Sequence, residues 1–266
     1  MITIEVPASN EHHENPYELS SEELLELTSR LLAERPPQGD DRFVCYKLDG
    51  QEAFANIGRK IEAEVFGDAF KNTPEDMQRE YGPYEPQSMF FVSIDRENNT
   101  PTGVMRVIKN GPQGFKSIDD FLAKHPNTSL DEIRKFHGME NDEKTWDIGT
   151  VAVLPEYRDK GAATQLYRAM YRTAVDDGIE HVVAIIDADP LAKMNKYLGI
   201  PLVSMMNSDP FSYIGSEKSQ AVYGHIPEFD RKMMRHKRTS IKGVLARKAI
   251  MRLLGRSETS DRGLQF

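Results

Sequence analysis

The stretch from Trp146 to Ile186 limits what this chain can fold into more than any other. Trp146 to Val153 reads as a strand, Pro155 turns the chain, and Gly161 to Asp177 reads as a helix. That helix is expected to show Ala163, Leu166, Met170 and Ala174 on one face. Val182 to Ile186 follows as an unbroken apolar run, the pattern of a strand buried on both sides. Strand, turn, helix and strand in this order require a sheet with a helix packed on it.

The turn itself, Val153-Leu154-Pro155-Glu156-Tyr157-Arg158-Asp159-Lys160-Gly161-Ala162-Ala163, has a chemical consequence. The first amides of a helix have no partner inside it, and they carry the positive end of the helix dipole. A pyrophosphate placed there is held by backbone donors. Gly161 leaves room for a phosphate, Ala162 and Ala163 keep the turn slim, and Arg158 and Lys160 add positive charge.

Elsewhere the chain alternates short helices and strands. Ser20 and Glu23 have capping-box spacing and open a helix that Arg35 to Gly39 stops. Phe43 to Leu48 is a predicted strand and Gln51 to Phe66 a predicted helix. Thr73 to Gln87 reads as a long loop near a site. Met89 to Ile94 and Gly103 to Ile108 read as a hairpin turned at Arg96 to Asn99. Ser117 to Ala123, Leu130 to Phe136 and Pro190 to Tyr197 are predicted short helices. Leu202 to Met206 and Gln220 to His225 are candidate last strands. The expectation is a polar tail over residues 1–18, one domain over 19–230 and a basic stretch over 231–266. In fold class this is α/β (α+β), a mixed sheet flanked by helices.

Charge narrows the partners. The net charge is −8, yet Arg231 to Arg256 holds ten Lys and Arg and no acid, so the remainder carries −8 − 10 = −18. An acidic body argues against nucleic acid and favours a cationic amine. The basic stretch suits an acidic acyl carrier protein or an anionic surface, or is a solvated tail. No apolar run reaches membrane-spanning length, the first residues lack a signal-peptide core, and the single Cys45 excludes a disulfide framework. A cytoplasmic location is the expectation. The seven histidines show no metal-ligand spacing, so no metal is expected.

Arg158, Gly161 and Ala163 match the coenzyme A motif Arg/Gln-x-x-Gly-x-Gly/Ala, with Val153, Pro155 and Tyr157 as its lead-in. On these residues the chain resembles the GNAT acetyltransferase superfamily over Met89 to Tyr197. The resemblance implies a mostly antiparallel sheet in which Trp146–Val153 splays from its parallel neighbour Val182–Ile186. It implies that Val151, Ala152 and Val153, with Arg158, Asp159, Lys160, Gly161, Ala162, Ala163 and Thr164, hold acetyl-CoA or a longer acyl-CoA as co-substrate. It puts Asn195 where many members carry a tyrosine. Asn195 is then a coenzyme contact, and Tyr197, about 200° further round the helix, is the candidate acid for the departing thiolate.

Trp146-Asp147-Ile148-Gly149-Thr150-Val151-Ala152-Val153 also resembles the acyl-homoserine-lactone synthases, with Gly149-Thr150 in place of their Ser-Arg pair. The reaction implied is direct acyl transfer to a small-molecule amine without an acyl-enzyme. The alternatives are an autoinducer-synthase-like enzyme using carrier-bound or long-chain donors, a protein acyltransferase, and a non-catalytic acyl-CoA-binding module. An attacking amine must lose a proton. Asp147 is the first candidate base, on a strand face expected to include Gly149 and Val151. Glu143 and Asp187 are second choices. Phe66, Phe70, Tyr81 and Tyr84 are candidate pocket aromatics.

Overall fold

The computed structural model describes residues 15–38, 41–194 and 201–229. Residues 1–14 of the expected tail, Asn195, Tyr197 and the basic stretch lie outside them.

Helix α1 (Ser21–Glu34) starts at the expected capping box: Ser20 Oγ accepts from the Glu23 amide, and Glu23 Oε2 accepts from the Ser20 amide. Strand β1 (Phe43–Asp49) leads to α2 (Ala55–Phe70). This helix starts four residues later than expected, because Asp49 and Glu52 bind backbone amides and fold the preceding residues into a turn.

The expected long loop is instead largely helical. Helix α3 (Pro74–Tyr81) is capped reciprocally by Thr73 and Asp76, with Pro74 in its first turn, and a 3₁₀ segment runs over Gly82–Gln87. The hairpin forms as predicted from β2 (Ser88–Asp95) and β3 (Thr100–Lys109), followed by α4 (Lys116–Lys124) and α5 (Leu130–His137).

Strand β4 (Thr145–Val153) precedes α6 (Ala162–Asp176). Leu166, Met170 and Ala174 form the buried stripe of α6 as expected, but its fourth member is Ala162 rather than Ala163. Strand β5 (His181–Asp187) leads to α7 (Ala188–Lys193). Then come β6 (Val203–Ser204), β7 (Phe211–Tyr213) and β8 (Ser216–His225). The strand expected at Leu202 to Met206 is cut short by a turn in which Met206 and Asn207 take positive φ.

The sheet order is β1-β2-β3-β4-β5-β8-β6, with β7 on β8, and every pair is antiparallel except β4–β5. Helix α6 packs on one face, where Phe91, Met105, Val107, Trp146, Leu166 and Met170 form a core. Helices α1 and α2 cover the other face over Leu48, Ile57, Ile61, Phe90, Val92 and Val104. Helices α4 and α5 close the second half of that face over Val183, Ala221 and Tyr223.

One ion network sits inside the α2 face. Arg106, fully buried, donates to Glu62 at 2.6 and 3.0 Å, to Glu85 at 2.9 Å and to the Tyr17 hydroxyl at 2.6 Å. Arg59 pairs with Glu85, and Thr150 Oγ1 donates to Glu62. Tyr17, assigned to the tail by its sequence position, is therefore fully buried and bonded. Among the described residues no helix is long and apolar enough to cross a membrane.

Candidate active site

Strands β4 and β5 pair only from Thr145–His181 to Ile148–Ala184. Beyond that point β4 continues alone on this side, while β5 stays paired with β8 through Asp187. The cause is local. Arg106 faces Thr150 and Val107 faces Ile148, so Gly149 is an extra residue in β4. Such a bulge bends and twists its strand.

The parting leaves backbone donors free. Leu154 donates its amide to Thr102 across β3, and the amides of a strand alternate in direction. Those of Val151 and Val153 therefore point away from β3, into the gap. The turn that follows adds more. Gly161 takes φ 104°, a conformation that favours glycine, and α6 begins at Ala162. Among the described residues the amides of Asp159, Gly161, Ala162, Ala163 and Thr164 meet no acceptor. Asp159, Lys160 and Arg158 are exposed. Arg158 folds back, Nε donating to Val153 O at 3.2 Å, and the Lys160 ammonium sits 5.7 Å from the Tyr157 ring. The Ala162 side chain packs inward on Phe43 and Tyr157, so its part in any anion site is its amide.

A cleft of about 470 Å³ occupies the gap and passes through the sheet. On the α6 side it is lined by Ile148, Tyr167, Met170 and Val182, and on the α2 side by Phe66, Phe70, Met77 and Tyr81.

The acetyltransferase (GNAT) family profile matches residues 58–198, more than half of the chain. The chain belongs to the GNAT acetyltransferase family. Solved structures similar to this GNAT chain include FeeM, an N-acyl amino acid synthase from uncultured soil microbes. The identity is 15% and the TM-score 0.53, covering 75% of this chain and 99% of that one. BjaI, a CoA-dependent acyl-homoserine lactone synthase, has 13% identity and TM-score 0.46 over 77% of this chain and 99% of its own. A putative N-acetyltransferase from Lactobacillus plantarum has 12% identity and TM-score 0.47 over 70% and 99%. No curated protein sequence matches.

Of the expected coenzyme residues of this GNAT chain, Val151, Val153 and Arg158 line the cleft, Ala152 is buried in the α2-side core, and Asp159 to Thr164 are not among the lining residues. The carboxylates are arranged differently from the expectation. Gly149 breaks the alternation of β4, so Asp147 lies on the face of Thr150 and Ala152, and Val151 on the opposite face with Val153. Asp147 is fully buried. Its two oxygens accept from the Ser117 amide and hydroxyl, each at 2.6 Å, which anchors the start of α4. Burial outweighs these hydrogen bonds and pushes its pKa up to about 7. Asp147 is absent from the cleft lining, so the structure does not support it as the base. Glu143 accepts from Asn110 outside the cleft. Asp187 lines the cleft, its Oδ1 accepting from Ser219 Oγ at 2.9 Å.

Of the four candidate aromatics, Phe66, Phe70 and Tyr81 line the cleft, whereas Tyr84 donates to Asp119. Glu80, Tyr167 and Tyr213 line it too and were not expected from sequence. Tyr167 donates to Met194 Sδ at 3.9 Å, and burial pushes its hydroxyl up to about 12. Glu80 had a legible signal: Thr73-Pro74-Glu75-Asp76 is a helix start, and Glu80 falls in the last turn of that helix. Among the described residues no group of three His, Cys, Asp or Glu side chains is arranged to hold a metal.

Proposed function

We propose that this GNAT acyltransferase moves an acyl group from a coenzyme A thioester directly to the amine of a small molecule. One observation carries the reading. The Val151 and Val153 amides face a gap in the sheet, and among the described residues the unpartnered amides of Asp159 and of Gly161 to Thr164 follow in the turn after β4. Unpaired amides in a partly buried setting are costly unless a ligand meets them. A pantetheine chain lying along β4 would accept from Val151 and Val153, and the diphosphate would sit at the α6 turn, where the dipole favours an anion. Gly161 leaves that approach free of a side chain. Coenzyme A supplies the acyl group as an activated thioester.

Either gap-facing amide is aimed to hold the thioester oxygen as charge develops on it. The Tyr167 hydroxyl, weakly acidic and lining the same cleft, is suited to return a proton to the departing thiolate. The passage of the cleft through the sheet to Phe66, Phe70 and Met77 favours a donor longer than acetyl. This keeps an autoinducer-synthase-like donor choice as the second reading.

Isothermal titration with acetyl-CoA and octanoyl-CoA tests the proposal. Heat of binding from at least one, stronger for octanoyl-CoA, is the expected result. No heat from either would remove the reading. Comparing octanoyl-CoA with octanoyl carrier protein in a product assay by mass spectrometry separates the two donors.

A further inference from the structure

The charges on the cleft wall restrict which acceptor fits. Among the described residues three lining side chains are charged: Arg158, Asp187 and Glu80. Arg158 lies beside Val153, while Glu80 adjoins Tyr81, whose hydroxyl reaches Gly149 O at 3.3 Å. Gly149 and Val153 are about 13 Å apart along an extended strand. Arg158 thus belongs to the donor end and Glu80 to the other.

Glu80 is held at one oxygen and open at the other. Its Oε2 accepts from Lys116 Nζ at 2.8 Å, and among the described residues Oε1 meets no donor. Its side chain is 34% exposed and that of Lys116 only 4%. Lys116 also donates to Asp120 at 2.7 Å and to the Tyr213 hydroxyl at 3.3 Å, and its ammonium lies 5.3 Å from the Tyr81 ring centre. Burial opposes its charge, but Asp120 and Glu80 outweigh that and raise its pKa. Lys116 is therefore a fixed cation already shared by two carboxylates, with no donor to spare for an incoming anion. One lysine against Glu80 and Asp120 leaves this wall formally negative, beside the rings of Tyr81 and Tyr213.

We propose that Glu80 receives the acceptor as an ammonium and takes its proton, and that the acceptor is a primary amine with an apolar or aromatic body and no carboxylate. This rests on the acyl-transfer reading above. An α-amino acid would bring its carboxylate against Glu80, where among the described lining residues the one unpaired cation, Arg158, lies at the donor end, a repulsive contact that selects against it. In the step, the ammonium gives one proton to Oε1 of Glu80. The freed nitrogen lone pair bonds the thioester carbon, and the carbon–sulfur bond breaks with its electron pair on sulfur. The sulfur takes the Tyr167 hydroxyl proton, the second proton lost by the new amide nitrogen restores that hydroxyl, and Glu80 returns its proton to solvent.

The test follows thiol release from octanoyl-CoA with tyramine, phenethylamine and L-tyrosine, for the full chain and for Glu80→Gln. Octanoyl-CoA titration is run on both proteins. The expected result is equal donor binding, turnover of the two plain amines by the wild type, and L-tyrosine at least tenfold poorer. Glu80→Gln should lower kcat/KM for tyramine about a hundredfold and abolish the fall of kcat/KM on the acid side of the pH profile. Glu80→Asp should recover part of the loss. L-tyrosine used as well as tyramine, no turnover of either plain amine, or Glu80→Gln within threefold of wild type with an unchanged pH profile would each overturn the inference while donor binding stands. Absence of donor binding by the wild type would instead remove the acyl-transfer reading, and this inference with it.

Discussion

The two halves of β4 are built for opposite ends. From Thr145 to Ile148 the strand is paired on both sides, and Asp147 is buried between sheet and α4 with both oxygens taken. From Thr150 to Val153 it is paired on the β3 side alone, Val151 is partly exposed, and two amides face a cleft. One inserted residue, Gly149, divides them. The comparison teaches that an open gap needs a rigid back. Behind the free half stand Glu62, bonded to Thr150, and Arg106, bonded to Glu62 and Glu85. The amides that a ligand would meet are positioned by the pairing with β3 and by a buried ion network behind it, with no help from β5.

Removing that brace should give the largest effect. Arg106→Met leaves Glu62 without its cation in a fully buried site and Glu85 with only Arg59. We expect a loss of about 3–5 kcal/mol in urea unfolding, the cost of stranding buried charge. A loss below about 1 kcal/mol would mean that the network does not support the free half of the strand.

The closed half carries its own signature in pH. The Asp147 carboxyl is pushed up to about 7 by burial, above its ordinary value near 4. Between those values the folded protein holds a proton that the unfolded chain has released. Stability from this group is therefore fully present below about pH 4, declines as pH rises, and levels off above about 7. Asp147→Asn should remove that slope. Urea midpoints of both proteins from pH 4.5 to 8 give the difference curve, which should fall by a few kcal/mol at most. A flat difference curve would show that the Ser117 hydrogen bonds outweigh burial.

How much of this was legible follows the range of the forces involved. The strand, turn and helix around Gly161 were readable because the free amides of a helix start are a local property of the chain. The bulge had a faint signal, a glycine inside a strand pattern, but its placement depends on pairing with β3. Strict alternation consequently put Asp147 on the face of Val151. Glu62 and Arg106 stand 44 residues apart, and nothing local links them. Glu80 was hidden by a different error: Pro74, Gly82 and Pro86 suggested a loop, although Thr73 to Asp76 spells a helix start.

The turn at Gly161 should give a middling effect. Its φ of 104° strains any other residue, while the nearest atoms to an added Cβ are Phe43 ring carbons at 3.8 and 3.9 Å. Gly161→Ala therefore meets conformational strain rather than a clash. A cost of about 1–3 kcal/mol in stability is expected, measured by urea unfolding. Weaker octanoyl-CoA binding should accompany it in titration if the proposed diphosphate site at this turn holds.

The smallest expected change in stability is also the sharpest test of the two-sided strand. Val151→Pro deletes an amide that faces the gap and takes no part in pairing with β3, so no ladder hydrogen bond is lost. Unfolding free energy should stay within about 1 kcal/mol of wild type, while octanoyl-CoA affinity falls about tenfold, the worth of one hydrogen bond. Ala152→Pro, one residue on, deletes an amide that points to β3 from a buried position. It should unfold the protein at markedly lower urea. If the two prolines destabilise equally, the amides do not alternate as the Leu154 to Thr102 bond implies, and β4 presents no free face to a ligand.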